Sequence, residues 1–242
     1  MGLTFGSLFS GIGGIDLGFE RAGMKCLWQS EIDPFAVSIL NKRFPNARQL
    51  GDIRSIDWGQ VEIPDIVCGG YPCQPFSYAG FRKGEQDERN LWPLMLRCIS
   101  ALRPQYVVLE NVAGHLTLGF GTVLGDLAQV GYDAEWDCVP ASAVGAPHRR
   151  DRLFVLAYPA GGERDGSKFQ SLDTSNRGAK SGERRCFQKP ERRRWETEPD
   201  IRRVADGIPH QLDRLRVLGN SVVPHVAEHI GRLLIQISEN EV

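Results

Sequence analysis

The 242-residue sequence lacks several features that would each have pointed to a class of protein. Its six cysteines (26, 68, 73, 98, 138 and 186) form no CxxC pair and no metal-finger spacing. That argues against structural zinc, or any other bound metal, and for reduced thiols rather than a disulfide framework. The chain start shows no basic segment running into an apolar stretch, and no run reaches the ~18–20 uninterrupted apolar residues of a membrane span. The expectation is a cytoplasmic chain that does not cross a bilayer. An excess of one charge is missing too. With 29 Lys+Arg against 30 Asp+Glu the formal net charge is -1, so any polyanion-binding surface must be local. A hydrophobic share of 41% and a charged share of 24% suit an ordinary soluble core. The length predicts one main domain with an appendage.

What is present is an alternation of apolar strands and amphipathic helices. Leu3 to Phe9 reads as a strand entering Ser10-Gly11-Ile12-Gly13-Gly14, with a helix from Ile15 to Ala22. Lys25 to Ser30 reads as a strand ending at Glu31, and Pro34 to Phe44 as a helix with proline in its first turn. A strand over Ile63 to Cys68 ends in Gly69-Gly70, and a helix over Asn90 to Leu102 stops before Pro104. Tyr106 to Leu109 is an apolar strand ending at Glu110-Asn111. A helix near Thr122 to Val130 and strands around Ala134 to Val139 and Arg152 to Ala157 follow.

Such strands predict an α/β fold whose parallel sheet is covered by helices on both faces. Ligands of these sheets bind beyond the carboxyl ends of the strands, where the polar residues of this chain collect. From Pro159 to about Arg203 the periodicity fades. Residues 161–204 hold twelve Lys/Arg against eight Asp/Glu, which marks a small, irregular, locally basic lobe. An apolar helical pattern from Val226 to Ile237 then returns the chain to the core. The expected division is a main ligand-binding domain over 1–158, a small basic region over 159–205 and a return to the main domain over 206–242.

Several features carry chemistry, each with a plainer alternative. The glycine turn suits a nucleotide-like ligand at a helix N-terminus, yet it equally fits a packing turn. A dinucleotide fingerprint would place its third glycine where Asp16 stands, which favours a different adenosine cofactor. Glu31 stands where an acid accepts hydrogen bonds from ribose hydroxyls, and Asp52-Ile53 where adenine is held. Taken singly, both acids also read as exposed carboxylates.

Cys73, between Pro72 and Pro75 in a glycine-rich loop, differs from the other five cysteines, which read as buried small hydrophobes. A thiolate that attacks an electron-poor ring carbon needs an acid to neutralise the ring, and Glu110 offers one. Arg150 and Arg152 are expected on one side of their strand, where two guanidinium groups hold a phosphate or polarise a base carbonyl. A solvated basic face fits them equally well.

The ordered set FSGIGG, SEID, GDI, GGYPCQPFS, LENV, HRRDRLF and LGNSVVP, spanning Phe9 to Pro224, resembles the motif series of the C5-cytosine DNA methyltransferases. The resemblance implies a Rossmann-like S-adenosylmethionine-dependent methyltransferase sheet and a monomeric enzyme acting on double-stranded DNA. Its setting would be restriction-modification, phage or orphan methylation in a bacterial or phage-infected cell. Phe9, Gly11, Gly13 and Gly14 would line S-adenosylmethionine, Glu31 would bind its ribose, and Asp52 and Ile53 its adenine, with Ile32 and Pro72 also at the cofactor. Asn220, Ser221 and Val222 would close the pocket. Cys73 would attack C6 of a flipped cytosine, with Glu110 as the acid and Arg150 and Arg152 steadying the adduct. Gln74, Ser77, Arg82 and the cluster Arg184, Arg185, Arg192 and Arg193 would touch nucleic acid.

Two departures stand out. His148 takes the place of the glutamine that usually opens the arginine motif, and the segment between Tyr158 and Leu218 is short where the family inserts a long target-recognition domain. Alternatives are a tRNA-cytosine methyltransferase, because phosphate contacts carry no sequence information, and a catalytically silent DNA-binding protein.

Overall fold

The computed structural model describes residues 2–72, 90–161 and 218–240. The loop that begins at Cys73 and nearly all of the basic region lie outside the described residues. The elements in chain order are β1 (Thr4–Leu8), α1 (Gly14–Ala22), β2 (Lys25–Ser30), α2 (Pro34–Arg43), β3 (Arg48–Gln49) and β4 (Ile66–Gly69). They continue with α3 (Trp92–Leu102), β5 (Tyr106–Val112), α4 (Phe120–Gln129), β6 (Tyr132–Pro140), β7 (Asp151–Pro159) and α5 (Pro224–Glu239). Among the described residues no helix is long and apolar enough to cross a membrane.

The seven strands form one sheet in the order β3-β2-β1-β4-β5-β7-β6. The first five are parallel, whereas β7 runs antiparallel to β5, and β6 antiparallel to β7. The expectation of a wholly parallel sheet is therefore corrected to a mixed one. Leu153 to Ala157 are buried because β7 lies inside the sheet, and burial on both faces says nothing about direction. The link from Pro140 to Asp151 holds only a short 3-10 turn, whereas a parallel return needs a crossover of a dozen or more residues.

Helices cover both faces, as the sequence predicts. Leu8, Val67, Val107 and Leu109 point towards α3 and α4, where Met95, Ile99, Phe120 and Leu127 complete one core. The alternate residues Phe5, Ile66, Tyr106 and Val108 meet Ile15, Phe19, Val226 and Ile230 of α1 and α5. Element boundaries moved where backbone chemistry intervened. β2 spans the expected residues, while β4 starts at Ile66 rather than Ile63 because Pro64 has no N–H to give the ladder. α3 starts at Trp92, with Pro93 in its first turn.

The contact of α5 with α1 joins the two ends of the described chain. It depends on Gly18, where a Cβ would lie 2.5 Å from Ala227 Cβ and 2.5 Å from the Pro224 carbonyl oxygen. Much of that obstruction is backbone and cannot rotate away. Gly18→Val should therefore destabilise the protein by about 2–3 kcal/mol, the overpacking cost, with little helix propensity regained because valine is β-branched. Urea unfolding of the variant against the parent protein checks this.

Candidate active site

A cleft of about 400 Å³ opens beyond the carboxyl ends of β1, β4 and β5, a volume suited to a small-molecule ligand. Phe9, Gly11 and Gly14 of the glycine turn form one wall. Glu31 and Pro72 line it from the ends of β2 and β4, and Glu110 and Arg152 from β5 and β7. Asn220, Ser221 and Val222 close it from the C-terminal side.

The local backbone explains this convergence. Phe9, Gly11 and Gly13 all adopt positive φ (53°, 55° and 79°), which turns the chain sharply from β1 into α1. At Gly14 a Cβ would lie 2.5 Å from the Val222 carbonyl oxygen and 2.6 Å from Ser221 Oγ. Only glycine lets the returning segment sit there. Glu31 accepts from Gly11 N (2.8 Å) through Oε2, and from Ile32 N (2.8 Å) and Asp33 N (2.9 Å) through Oε1. It thus ties the glycine turn to the start of α2, and Oε2 keeps a lone pair towards the cleft.

Glu110 is the most perturbed acid at the mouth. Its side chain is buried, with Arg152 Nε 2.9 Å from Oε1. Burial raises its carboxyl from 4.5 to about 7, although Arg152 and then Arg150 pull it down. Gly70 makes room for it, since a Cβ there would stand 2.6 Å from Glu110 Oε2. Asn111 Nδ2 donates to the Tyr71 carbonyl (3.2 Å), so the acid strand also holds the backbone just before Pro72. The strand extends through both residues to Val112, beyond the end expected at Leu109.

Other expected residues lie elsewhere. Arg150 precedes β7 with φ 37°, so it does not alternate with Arg152 along the strand as expected. Its Nη2 instead donates to the carbonyls of Gly219 (2.6 Å) and Ser221 (2.8 Å), which pins the returning segment over the cleft. Asp52 turns away to Arg54, 2.9 Å in the ion pair, and Ile53 is buried in the α3–α4 core. Neither lines the cleft. Gly13 shapes the turn without lining it, and Ile32 is 59% exposed beside Glu31. Cys73, Gln74, Ser77, Arg82, Arg184, Arg185, Arg192 and Arg193 lie outside the described residues.

Sequence reading missed two elements. The Tyr71 hydroxyl hydrogen-bonds His115 Nε2 at 2.8 Å, and the Tyr71 ring packs on Trp92, so the pair braces both flanks of the cysteine loop. A histidine five residues after Glu110 gave no periodic signal. Asp16, noted only as a missing glycine, borders the cleft and is fully buried. Among the described residues no group of three or more His, Cys, Asp or Glu stands as a metal site.

Residues 3–177 match the family model for C-5 cytosine-specific DNA methylase. The chain is 36% identical over 161 residues to the type II methyltransferase M.BsuFI of Bacillus subtilis, covering 64% of this chain and 39% of that protein. It resembles the solved structure of a putative DNA modification methyltransferase encoded within an E. coli prophage at TM-score 0.55 and 28% identity, over 71% of this chain and 48% of that one. The fold also matches the S. pombe Dnmt2 methyltransferase at TM-score 0.58 and 22% identity, over 72% of this chain and 57% of that one. The chain spans about two fifths to one half the length of the curated relatives it matches. The family model covers well over half of the chain, from residue 3 to 177: this chain belongs to the C-5 cytosine-specific DNA methylases.

Proposed function

We propose that the chain transfers a methyl group from S-adenosylmethionine to C5 of a cytosine flipped out of DNA. The observation that carries this reading is the buried Glu110–Arg152 pair at the mouth of a small-molecule cleft, next to Pro72 and hence to Cys73 in the chain. The residues present fit the cofactor. Nothing stands within 4 Å of where a Cβ of Gly11 would project, leaving space above the turn, and Glu31 offers a carboxylate acceptor for ribose hydroxyls. Ile32 presents an exposed apolar surface beside it, suited to a flat base. When bound, S-adenosylmethionine supplies the electrophilic methyl group.

The chain's own residues supply the rest. C5 of cytosine is a poor nucleophile until a group adds at C6. Cys73 Sγ bonds to C6 while Glu110 gives its proton to N3, so the ring electrons move to C5. A carboxyl held near neutrality is suited to that exchange, being protonated often enough to give and ionised often enough to take back. Arg152 fixes the orientation of Glu110, and Asn111 fixes the backbone entering the cysteine loop. After methyl transfer, loss of the C5 proton and departure of the thiolate restore aromaticity. Extracting the base costs a few kcal/mol, which contacts from Gln74, Ser77 and Arg82 would offset.

A duplex carrying 5-fluorocytosine has no C5 proton to lose, so with cofactor present it should trap a covalent adduct on denaturing gels. Cys73→Ala should give none while binding cofactor as the parent does. Adduct and methyl transfer with tRNA but not with duplex DNA would overturn the choice of substrate. Glu110→Gln should lower kcat by about 10²–10⁴-fold, the span of general acid–base contributions.

The same acid affects stability with a defined sign. Its folded pKa lies above the ordinary 4.5, so its contribution is full below pH 4.5 and is lost as pH rises through about 7. Stability should fall by on the order of 3 kcal/mol across that window, and Glu110→Gln should flatten this part of the slope. Urea unfolding at pH 5 and pH 7.5 measures it.

A further inference from the structure

The cleft has a second buried carboxylate that takes no part in the proposed chemistry. Asp16, in the first turn of α1, is fully buried and borders the cleft beside Ser7 and Gly14. Its surroundings are built for an ionised acid. Gln49 Nε2 donates to Gln29 Oε1 (2.7 Å), which leaves the Gln29 amide N–H to donate to Asp16 Oδ1 (2.6 Å). Ser7 Oγ donates to Oδ2 (3.1 Å) and accepts in turn from Ser10 Oγ (3.0 Å). Both carboxylate oxygens therefore face donors.

Every one of those donors is neutral. The groups packed around Asp16 are Ser7 of β1, Gln29 and Cys26 of β2, Cys68 of β4 and Glu20 of α1. Burial holds both thiols protonated, and Glu20 has the same sign as Asp16. No cation among the described residues acts on it. Burial raises the Asp16 carboxyl to about 6, so it is mostly charged at neutral pH. A buried charge with no counter-ion is costly, and neutral donors offset that cost only in part. A cation that repays the cost would have to come from the cleft that Asp16 borders.

We propose that Asp16, held by the Ser7–Gln29–Gln49 network, is the counter-charge for the cationic amino-acid end of the cofactor. This rests on the S-adenosylmethionine reading above. That cofactor carries a sulfonium and an ammonium against one carboxylate. Asp16 is thus a binding residue that distinguishes the charged end from the adenosine end, which Glu31 and Ile32 serve from the other side of the glycine turn.

Calorimetry on the full chain tests this with two ligands, S-adenosylmethionine and 5′-methylthioadenosine, which keeps the adenosine and lacks the cationic end. Asp16→Asn should weaken S-adenosylmethionine about tenfold, the scale of one charge-assisted contact, and leave methylthioadenosine within about twofold. Parent protein at pH 6, titrated in two buffers of different ionisation enthalpy, should release protons on binding S-adenosylmethionine and none on binding methylthioadenosine. This second measurement needs no variant, and so holds even if the substitution harms folding. Equal weakening of both ligands, unchanged affinity in Asp16→Asn, or absence of proton release would overturn the role of Asp16 while leaving the cofactor reading intact. Failure of the parent protein to bind S-adenosylmethionine at all would remove the cofactor reading and this role with it.

Discussion

The site depends on one close approach: the backbone at Ser221 and Val222 lies directly against Gly14, more than two hundred residues earlier. No side chain fits between them, since even a methyl group at Gly14 would stand 2.5 Å from the Val222 carbonyl. That contact lets the C-terminal segment form a wall of a cleft whose floor belongs to the first strand. Everything nearby reinforces it. Gly18 admits Ala227 one helical turn on, Gly231 lies against Ala22, and Arg150 reaches the carbonyls of Gly219 and Ser221. An arginine bonded to two carbonyls is a strut, and at this position it connects the β6–β7 hairpin to the segment that closes the cleft.

The same packing desolvates two acids with different consequences. Glu110 is buried beside a guanidinium, and burial outweighs the attraction, so its carboxyl is pushed up to about 7. Asp16 is buried among neutral donors, which lower its pKa against burial without supplying opposite charge. The first arrangement suits a proton that must move, because neither state is strongly preferred. The second suits a fixed charge awaiting a partner, because its hydrogen bonds are all donated to it. In the proposed reading, two carboxylates on one cleft take different roles through their neighbours, Glu110 passing a proton beside a guanidinium and Asp16 meeting a cation from among neutral donors.

Much of this was legible in the sequence, where local chemistry and tertiary placement agree. β2 could be read to the residue because its apolar run is bounded by Gly23 and by Glu31. The glycine turn, Glu31, Glu110, Arg152 and the Asn220–Val222 segment converge on the cleft as their motif order implied. Where placement differs from the expectation, each difference has a physical cause. Strand direction is not encoded in an apolar run, so β7 passed for a parallel strand. Arg150 looked like a partner of Arg152 because alternation assumes extended backbone, and a positive φ at that residue breaks it. Asp52 and Ile53 sit in a motif, but Arg54 captures the acid locally and the core captures the isoleucine. Asp16 was legible only as the place of a missing glycine, because its burial comes from neighbours on β1, β2 and β4 that lie far from it in sequence.

Charge distribution links the cleft to the polyanion it is proposed to serve. Among the described residues the cleft presents Glu31, Asp33, Glu110 and Asp16 against one lining arginine, Arg152. Such a cleft favours a cationic ligand and opposes entry of phosphate. In the proposed reading a nucleic-acid backbone is therefore held outside the cleft, with only an uncharged base passing in. The whole chain carries a net charge of -1, so the attraction has to come from a local excess, and residues 161–204 with twelve Lys/Arg against eight Asp/Glu are where the sequence concentrates it. In the proposed reading the acidic cleft takes the base, and the locally basic stretch of sequence is the candidate for holding the backbone. The base is the part of DNA that can cross from one to the other.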